Sequence, residues 1–379
     1  MIIKNALVFT LDRGFVPGDV AVADGRFADS HAFDPADTDI LDAGGDYLIP
    51  GLVDVHFHGC SGYDFSDGTK EAIHAIGAYE AKCGITSICP ASMTLPEETL
   101  LTVCETAAAY RRESEPLPLS RLCGIHLEGP FIAGSKKGAQ NPDYIRNADA
   151  SMFGRLQDAA QGLVRLITVA PEAPAAMDFI RRLHGEVHIS LGHTDCDYDT
   201  AAEAFALGAD HVTHFFNAMP PFTHRAPGLI GAAFDAEHVM PELICDGIHI
   251  APSAVRVAFA LFGPERLILI SDIMRAAGMS DGSYTLGGLP VKVTGNLATL
   301  EDGTIAGSVT NLMDCMRTAV SMGLPLADAV RCASYNPAKS IGVSDVCGSI
   351  EPGKYADCVL LSKKDLSTQA VILKGALLK

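Results

Sequence analysis

The chain has 379 residues, 48% of them hydrophobic, and a formal net charge of −18. That length fits one large α/β barrel with a minor domain, and the apolar share is enough for a large core. The acidic excess excludes nucleic acid as a general partner, because phosphate backbones need a basic surface, and no run of about 18 apolar residues marks a membrane span.

The opening residues, MIIKNALVFTLDRG, lack a basic head followed by an apolar stretch. The eleven cysteines are scattered singly with no CxxC pair, which points to reduced thiols and a cytoplasmic location. Cys60 is read as a small space-filling residue. Residues 1–49 carry three strand-like runs, MIIKNALVFT, GDVAVADGRFAD and DILDAGGDYLIP, with hairpin signals at Asp24–Gly25 and Gly44–Gly45. The last stretch, 349–379, has the same character. Neither end makes a convincing core alone, so the two are expected to join in one small β-sandwich domain.

Between them, over 50–348, strand and helix patterns alternate. The buried-type runs are LVDVHFHG, ITSICPASM, LCGIHLEGP, VRLITVAPE, VHISLGHTD, HVTHFFNAM, MPELICDGIHI and RLILISDIM. Helical spacing follows most of them, as in TKEAIHAIGAYEAKCG and PEETLLTVCETAAAYRR, whereas HVTHFFNAM leads into a Pro-rich loop. Eight such runs favour a closed (β/α)8 TIM-like barrel over an open doubly wound sheet. The segment SYTLGGLPVKVTGNLATLEDG reads as an insertion after the eighth strand.

In such a barrel the chemistry lies at the carboxyl ends of the strands. Those ends carry His56 and His58, Glu128, His193, His214 and Asp272. A single histidine there reads as a strand cap or a satisfied core residue. Six metal-ligand or acid–base types at equivalent ends are hard to attribute to packing. His56 and His58 are two apart, so on a strand they share a face. Glu128 has two oxygens that can bridge two ions. Asp272 is suited to take a proton from an activated water and return it to a leaving group. His126 is expected to pack beneath the site, and His188, His211 and His224 to be structural or to support it.

PGLVDVHFHG, HLEGPF, KKGAQNP, LGHTD, THFFNAM, HRAPGLIG, ICDGIH, SDIMRAAG and the closing YNPAKSIG and GSIEPGKYADCVLL occur in this order. Together they resemble the N-acetylglucosamine-6-phosphate deacetylase family of the amidohydrolase superfamily, over nearly the whole chain. HLEGP, HxxNAM and DGxH are specific to that family; HxH and GKxADxV are shared across the superfamily.

The resemblance implies hydrolytic removal of acetate from an amino-sugar phosphate, with the N-acetylgalactosamine 6-phosphate epimer or a cyclic amide as alternative substrates. A non-catalytic scaffold is the remaining alternative. Glu128, His193 and His214 match the principal metal ligands, Asp272 the catalytic carboxylate, and His56 and His58 a pair found in members that hold a second ion. One or two divalent ions are implied; zinc is favoured, and iron or manganese suits the same ligands. Asn217 and Ala218 match positions that hold the sugar phosphate. Arg225 and His249 match basic phosphate contacts that reach across from a neighbouring subunit, which implies a homodimer. Ile305, Ala306, Gly307 and Ser308 fall where a loop touches the sugar. Some members have a His two residues after the KKG glycine; this chain has Ala139 and then Gln140 there, and Gln can donate a hydrogen bond to the substrate carbonyl but carries no proton at neutral pH.

Overall fold

In the computed structural model, which describes residues 1–29 and 39–378, eight short parallel strands follow one another around a curled sheet. They are Leu52–Asp54, Ile85–Ile88, Ile125–Glu128, Val164–Val169, His188–Leu191, His211–Val212, Met240–Ile244 and Ile268–Ile270. Each pairs with the next in parallel, the second and third through Ser87–Arg121 and Ala91–His126. The two edges meet at the carboxyl end, where Asp272 N donates to His56 O at 3.0 Å and His58 N to Ile273 O at 2.7 Å.

Side chains alternate along these strands with period two. Leu127, Ile167, Ile189, Leu191, Val212, Leu243 and Leu269 join the large core shared with the surrounding helices. The opposite parity puts His126, Glu128, Thr168, Ser190, His211, Thr213 and Glu242 inside, all buried. Towards the amino ends the interior turns apolar. Val53, Leu166, Ile268 and Ile270 cluster there with Ala338, Ile341 and Val343. The curled sheet therefore has an apolar floor and a polar mouth.

Helices alternate with the strands: Lys70–Lys82, Glu97–Ser114, Ala150–Ala159, Ala176–Leu183, Tyr198–Ala206, Gly228–Asp235, Pro252–Phe262 and Leu312–Ser321. Side chains of Thr69, Asp149, Asp197 and Asn311 accept backbone N–H bonds at the starts of four of them, each cap contributing about 1 kcal/mol. Gly228–Asp235 lies where sequence reading saw a Pro-rich loop. Its two glycines and the preceding proline hide the periodicity, but burial of Leu229, Ile230, Ala232 and Ala233 holds the helix in place.

The two ends of the chain form one eight-stranded sheet, ordered Ala376–Leu377, Thr368–Leu373, Cys358–Leu361, Tyr47–Pro50, Ile2–Thr10, Gly14–Ala23, Arg26–Ala28, with Ile40–Asp42 also on Ile2–Thr10. Cys358–Leu361 pairs antiparallel with Tyr47–Pro50, which joins the termini. Ile3, Val8, Val20, Phe27, Leu48, Cys358, Leu360 and Ile372 make a separate apolar cluster, while Ile49, Val359, Leu361 and Val371 pack into the main core. Positions 30–38 and 379 of the segments assigned to this unit lie outside the described residues. The expected insertion is a three-stranded meander, Gly282–Leu286, Leu289–Thr294 and Leu297–Thr299. It packs through Leu286, Val291 and Ala298 onto Met93 and Met274 beside the mouth. Among the described residues no helix is long and apolar enough to cross a membrane.

Candidate metal centre and active site

Three of the six strand-end residues sit in left-handed backbone: His193 at φ 47°, His214 at 28° and Asp272 at 51°. Non-glycine residues there cost about 1–3 kcal/mol each and persist only where the surroundings over-determine them. The preceding Gly192 is part of that determination. A Cβ on it would stand 2.5 Å from the Thr213 Cβ, so only glycine lets the strand leading to His193 lie against its neighbour.

The six side chains converge. His193 Nε2 lies 3.0 Å and His214 Nε2 3.1 Å from Glu128 Oε1, and the two ring nitrogens are 3.0 Å apart. His58 Nε2 stands 3.2 Å from Glu128 Oε2 and 3.3 Å from Asp272 Oδ1. His56 Nε2 faces Glu128 Oε1 at 3.4 Å and Asp272 Oδ1 at 3.9 Å. Two ligand groups result, His56/His58/Asp272 and Glu128/His193/His214, with Glu128 touching both. A third group, His56/His126/Glu242, lies one layer deeper.

The tautomers follow from the far side of each ring. His56 Nδ1 donates to Glu242 Oε2 at 2.8 Å, His58 Nδ1 to Ala91 O at 3.2 Å and His193 Nδ1 to Lys136 O at 2.8 Å. Each ring thereby turns its Nε2 into the same space. The carboxylates there carry charge. Burial alone would raise Glu128, but the neighbouring His56 and the bonds from His193 and His214 hold it well below the usual range. Asp272 is likewise lowered against burial by His58 and His56. Burial opposes a charge on His58, yet Asp272 and Glu128 push it up to about 10. His126 goes the other way, down to about 3, because burial and the adjacent His56 both oppose its charge. It bonds Thr168 Oγ1 at 2.8 Å.

Above these groups opens a cavity of about 390 Å³. Ala139, Asn217, Ala218, His249, Ile305 and Gly307 line it. Ala306 is buried in the meander's cluster, and Ser308 N donates to Asp272 O at 2.7 Å, so that loop braces the strand end that carries Asp272. Gln140 is buried, and its amide is largely spent. Oε1 accepts from Thr94 N at 2.7 Å and Nε2 donates to Glu128 Oε2 at 2.6 Å, leaving one N–H for the cavity. Arg225 is not brought into this cavity. It is exposed, bonds His224 Nε2 at 2.7 Å and lines a separate surface cleft with Pro220 and Asp197. His249 is held by Asp246, Nδ1 to Oδ2 at 2.7 Å.

Sequence reasoning missed Glu242, whose side chain is fully buried and held down to about 2, the charge of His56 outweighing burial. The signal was present: one acid at an inward position in the otherwise apolar MPELI. Lys136 and Thr304, which line the cavity, had no such signal.

The amidohydrolase family profile matches residues 47–378. An N-acetylglucosamine-6-phosphate deacetylase of Bacillus subtilis is 36% identical over 99% of this chain and 96% of its own. An N-acetylgalactosamine-6-phosphate deacetylase of Escherichia coli O157:H7 is 33% identical over 94% and 93%. Among solved structures, a mutant of the Mycobacterium smegmatis N-acetyl-D-glucosamine-6-phosphate deacetylase, in complex with N-acetyl-D-glucosamine-6-phosphate, superposes with a TM-score of 0.91. It is 35% identical, covering 100% of this chain and 98% of that one.

Proposed function

The chain belongs to the amidohydrolase family, and from that premise we propose that it is a hydrolase that removes the acetyl group from N-acetylglucosamine 6-phosphate, giving glucosamine 6-phosphate and acetate in amino-sugar catabolism. One observation carries the reading. The imidazoles of His56, His58, His193 and His214 and the carboxylates of Glu128 and Asp272 converge beneath a cavity the size of a small ligand.

The donor set fits a divalent cation. His56 Nε2 and Asp272 Oδ1 are fully buried without a hydrogen-bond partner, and His193 and His214 turn their Nε2 atoms towards each other at 3.0 Å. Lone pairs and carboxylates so arranged are complementary to a cation and to little else. Glu128, His193 and His214 would hold one ion, and His56 and His58 with Glu128 and Asp272 a second; zinc is the ion we favour. When bound, such a cation supplies Lewis acidity that activates water and polarises the amide carbonyl. Asp272 accepts the proton of the attacking water and returns it to the departing sugar nitrogen. Its left-handed backbone and the bond from Ser308 fix where that carboxylate points. Asn217, Ala218 and the 305–308 loop orient the sugar, and His249 meets its phosphate from the cavity wall. The remaining N–H of Gln140 is available to the acetyl oxygen.

Arg225 lies on the outer cleft, which suits a residue that serves the phosphate of a second subunit; the reading includes a homodimer for that reason. An Arg fork matches phosphate geometry. The reading also takes 50–348 as a complete (β/α)8 barrel and 1–49 with 349–379 as a small β-sandwich domain, supported by the meeting of the sheet edges and the separate terminal cluster. It places the reaction in the cytoplasm, in keeping with eleven unpaired cysteines. A galacto epimer preference is the second reading, favoured by the E. coli relative. Steady-state deacetylation of both epimeric 6-phosphates decides between them: preferential turnover of the gluco epimer supports the proposal, and preferential turnover of the galacto epimer replaces it.

A further inference from the structure

We propose that Glu242 is a positioning residue that sets the affinity of the His56/His58 half of the metal centre and ties that half to His214. The inference rests on the proposed metal centre and extends it to a residue of the inner layer.

The strand Met240–Ile244 is buried throughout, and Glu242 is its one charged residue. An ionised carboxylate in such surroundings is costly unless its oxygens are used. They are used asymmetrically. Oε2 accepts two bonds, one from His56 Nδ1 at 2.8 Å and one from the backbone N–H of His214 at 3.0 Å. Oε1 faces His211 Nε2 at 3.5 Å. A single oxygen thus joins the ring of a ligand from the first strand to the backbone of a ligand from the sixth. The second of these contacts restrains a residue held at φ 28°.

His56 also differs from its neighbours. His58 and His193 give their Nδ1 protons to backbone carbonyls, whereas His56 gives its proton to a charged acceptor. A carboxylate behind an imidazole fixes the tautomer, locks the ring plane and makes Nε2 a stronger donor to a cation. His56 Nε2 is buried and otherwise unpartnered, so its orientation depends on that carboxylate. Loss of Glu242 therefore weakens the ion at His56 and His58 first, and leaves the ion at Glu128, His193 and His214 in place.

The test is metal titration of the full-length protein with Zn(II) and Co(II), reading ions per subunit by mass spectrometry and the Co(II) absorption of each step. Wild type is expected to take two ions. E242Q, which keeps the side-chain shape, should bind the second ion about 10-fold more weakly and E242M about 100-fold, with the first ion unchanged. Unchanged affinity for both ions in the two variants overturns the proposal. So does a histidine-selective NMR spectrum of the zinc-loaded wild type showing His56 unprotonated at Nδ1, a readout that stands whether or not the variants fold. Failure of the functional reading is separable. Two ions in wild type with the second bound about 10-fold more weakly in E242Q, but no acetate released, sustains Glu242 and contradicts the deacetylase. Acetate release with only one ion per subunit does the reverse.

Discussion

The mouth and the floor of the curled sheet are built from the same strands a few residues apart, yet they follow opposite rules. At the floor, Val53, Leu166, Ile268 and Ile270 are fully buried among other aliphatic side chains, with no polar atom to satisfy. At the mouth, His56 Nε2, His214 Nδ1, Asp272 Oδ1 and Glu242 Oε1 are buried without partners, and three candidate ligands occupy left-handed backbone. The first arrangement lowers the free energy of the fold. The second raises it and is tolerated because the floor and the helical shell hold it. Stability and chemistry are separated along the strands by little more than one layer of side chains.

That contrast is broken most sharply at Asp272. D272N should lower kcat by about 10²–10⁴-fold while the melting temperature and the ion at Glu128, His193 and His214 stay near wild type, read by acetate release and metal analysis on one sample. Wild-type-like turnover would remove Asp272 from its role. The floor should behave in the opposite sense. L166A deletes fully buried atoms and should cost about 2–5 kcal/mol of stability in denaturant unfolding, with kcat of the folded protein little altered. Equal losses of activity and stability would show that the two regions are not separable.

Gly192 lies between the two regimes and sharpens the comparison. G192A drives a Cβ against Thr213 and should cost about 1–3 kcal/mol and also displace His193, so stability and metal affinity fall together. Chemical denaturation and metal titration of the same preparation read both. The smallest effect is expected outside the mouth. R225A should raise KM for the sugar phosphate about tenfold, in line with loss of one charged hydrogen bond, with kcat largely retained. A fall in kcat with KM unchanged would separate Arg225 from phosphate recognition.

The contrast also explains what the sequence made legible. His56, His58, Glu128, His193, His214 and Asp272 could be read in advance because each closes an apolar run, where a polar residue stands out and period two assigns its face. Both termini read as strand-rich, and Cys358–Leu361 of one end pairs with Tyr47–Pro50 of the other. Glu242 was hidden because it lies inside a run rather than at its end, and its partners, the His56 ring and the His214 backbone, are remote in sequence. Gln140 was assigned to the substrate carbonyl; only the folded loop shows its amide turned to Glu128 and Thr94. The helix Gly228–Asp235 escaped notice because local propensity argues against it and tertiary burial decides for it.

The central claim is that the converging lone pairs and carboxylates form a metal centre that hydrolyses an acetamido sugar phosphate. The direct test is acetate release from N-acetylglucosamine 6-phosphate by the purified protein before chelation, after chelation and after zinc is returned, with bound metal counted at each stage. Turnover that disappears with the metal and returns in proportion to it is the result expected. Metal-replete protein that releases no acetate from either epimeric 6-phosphate would contradict the account.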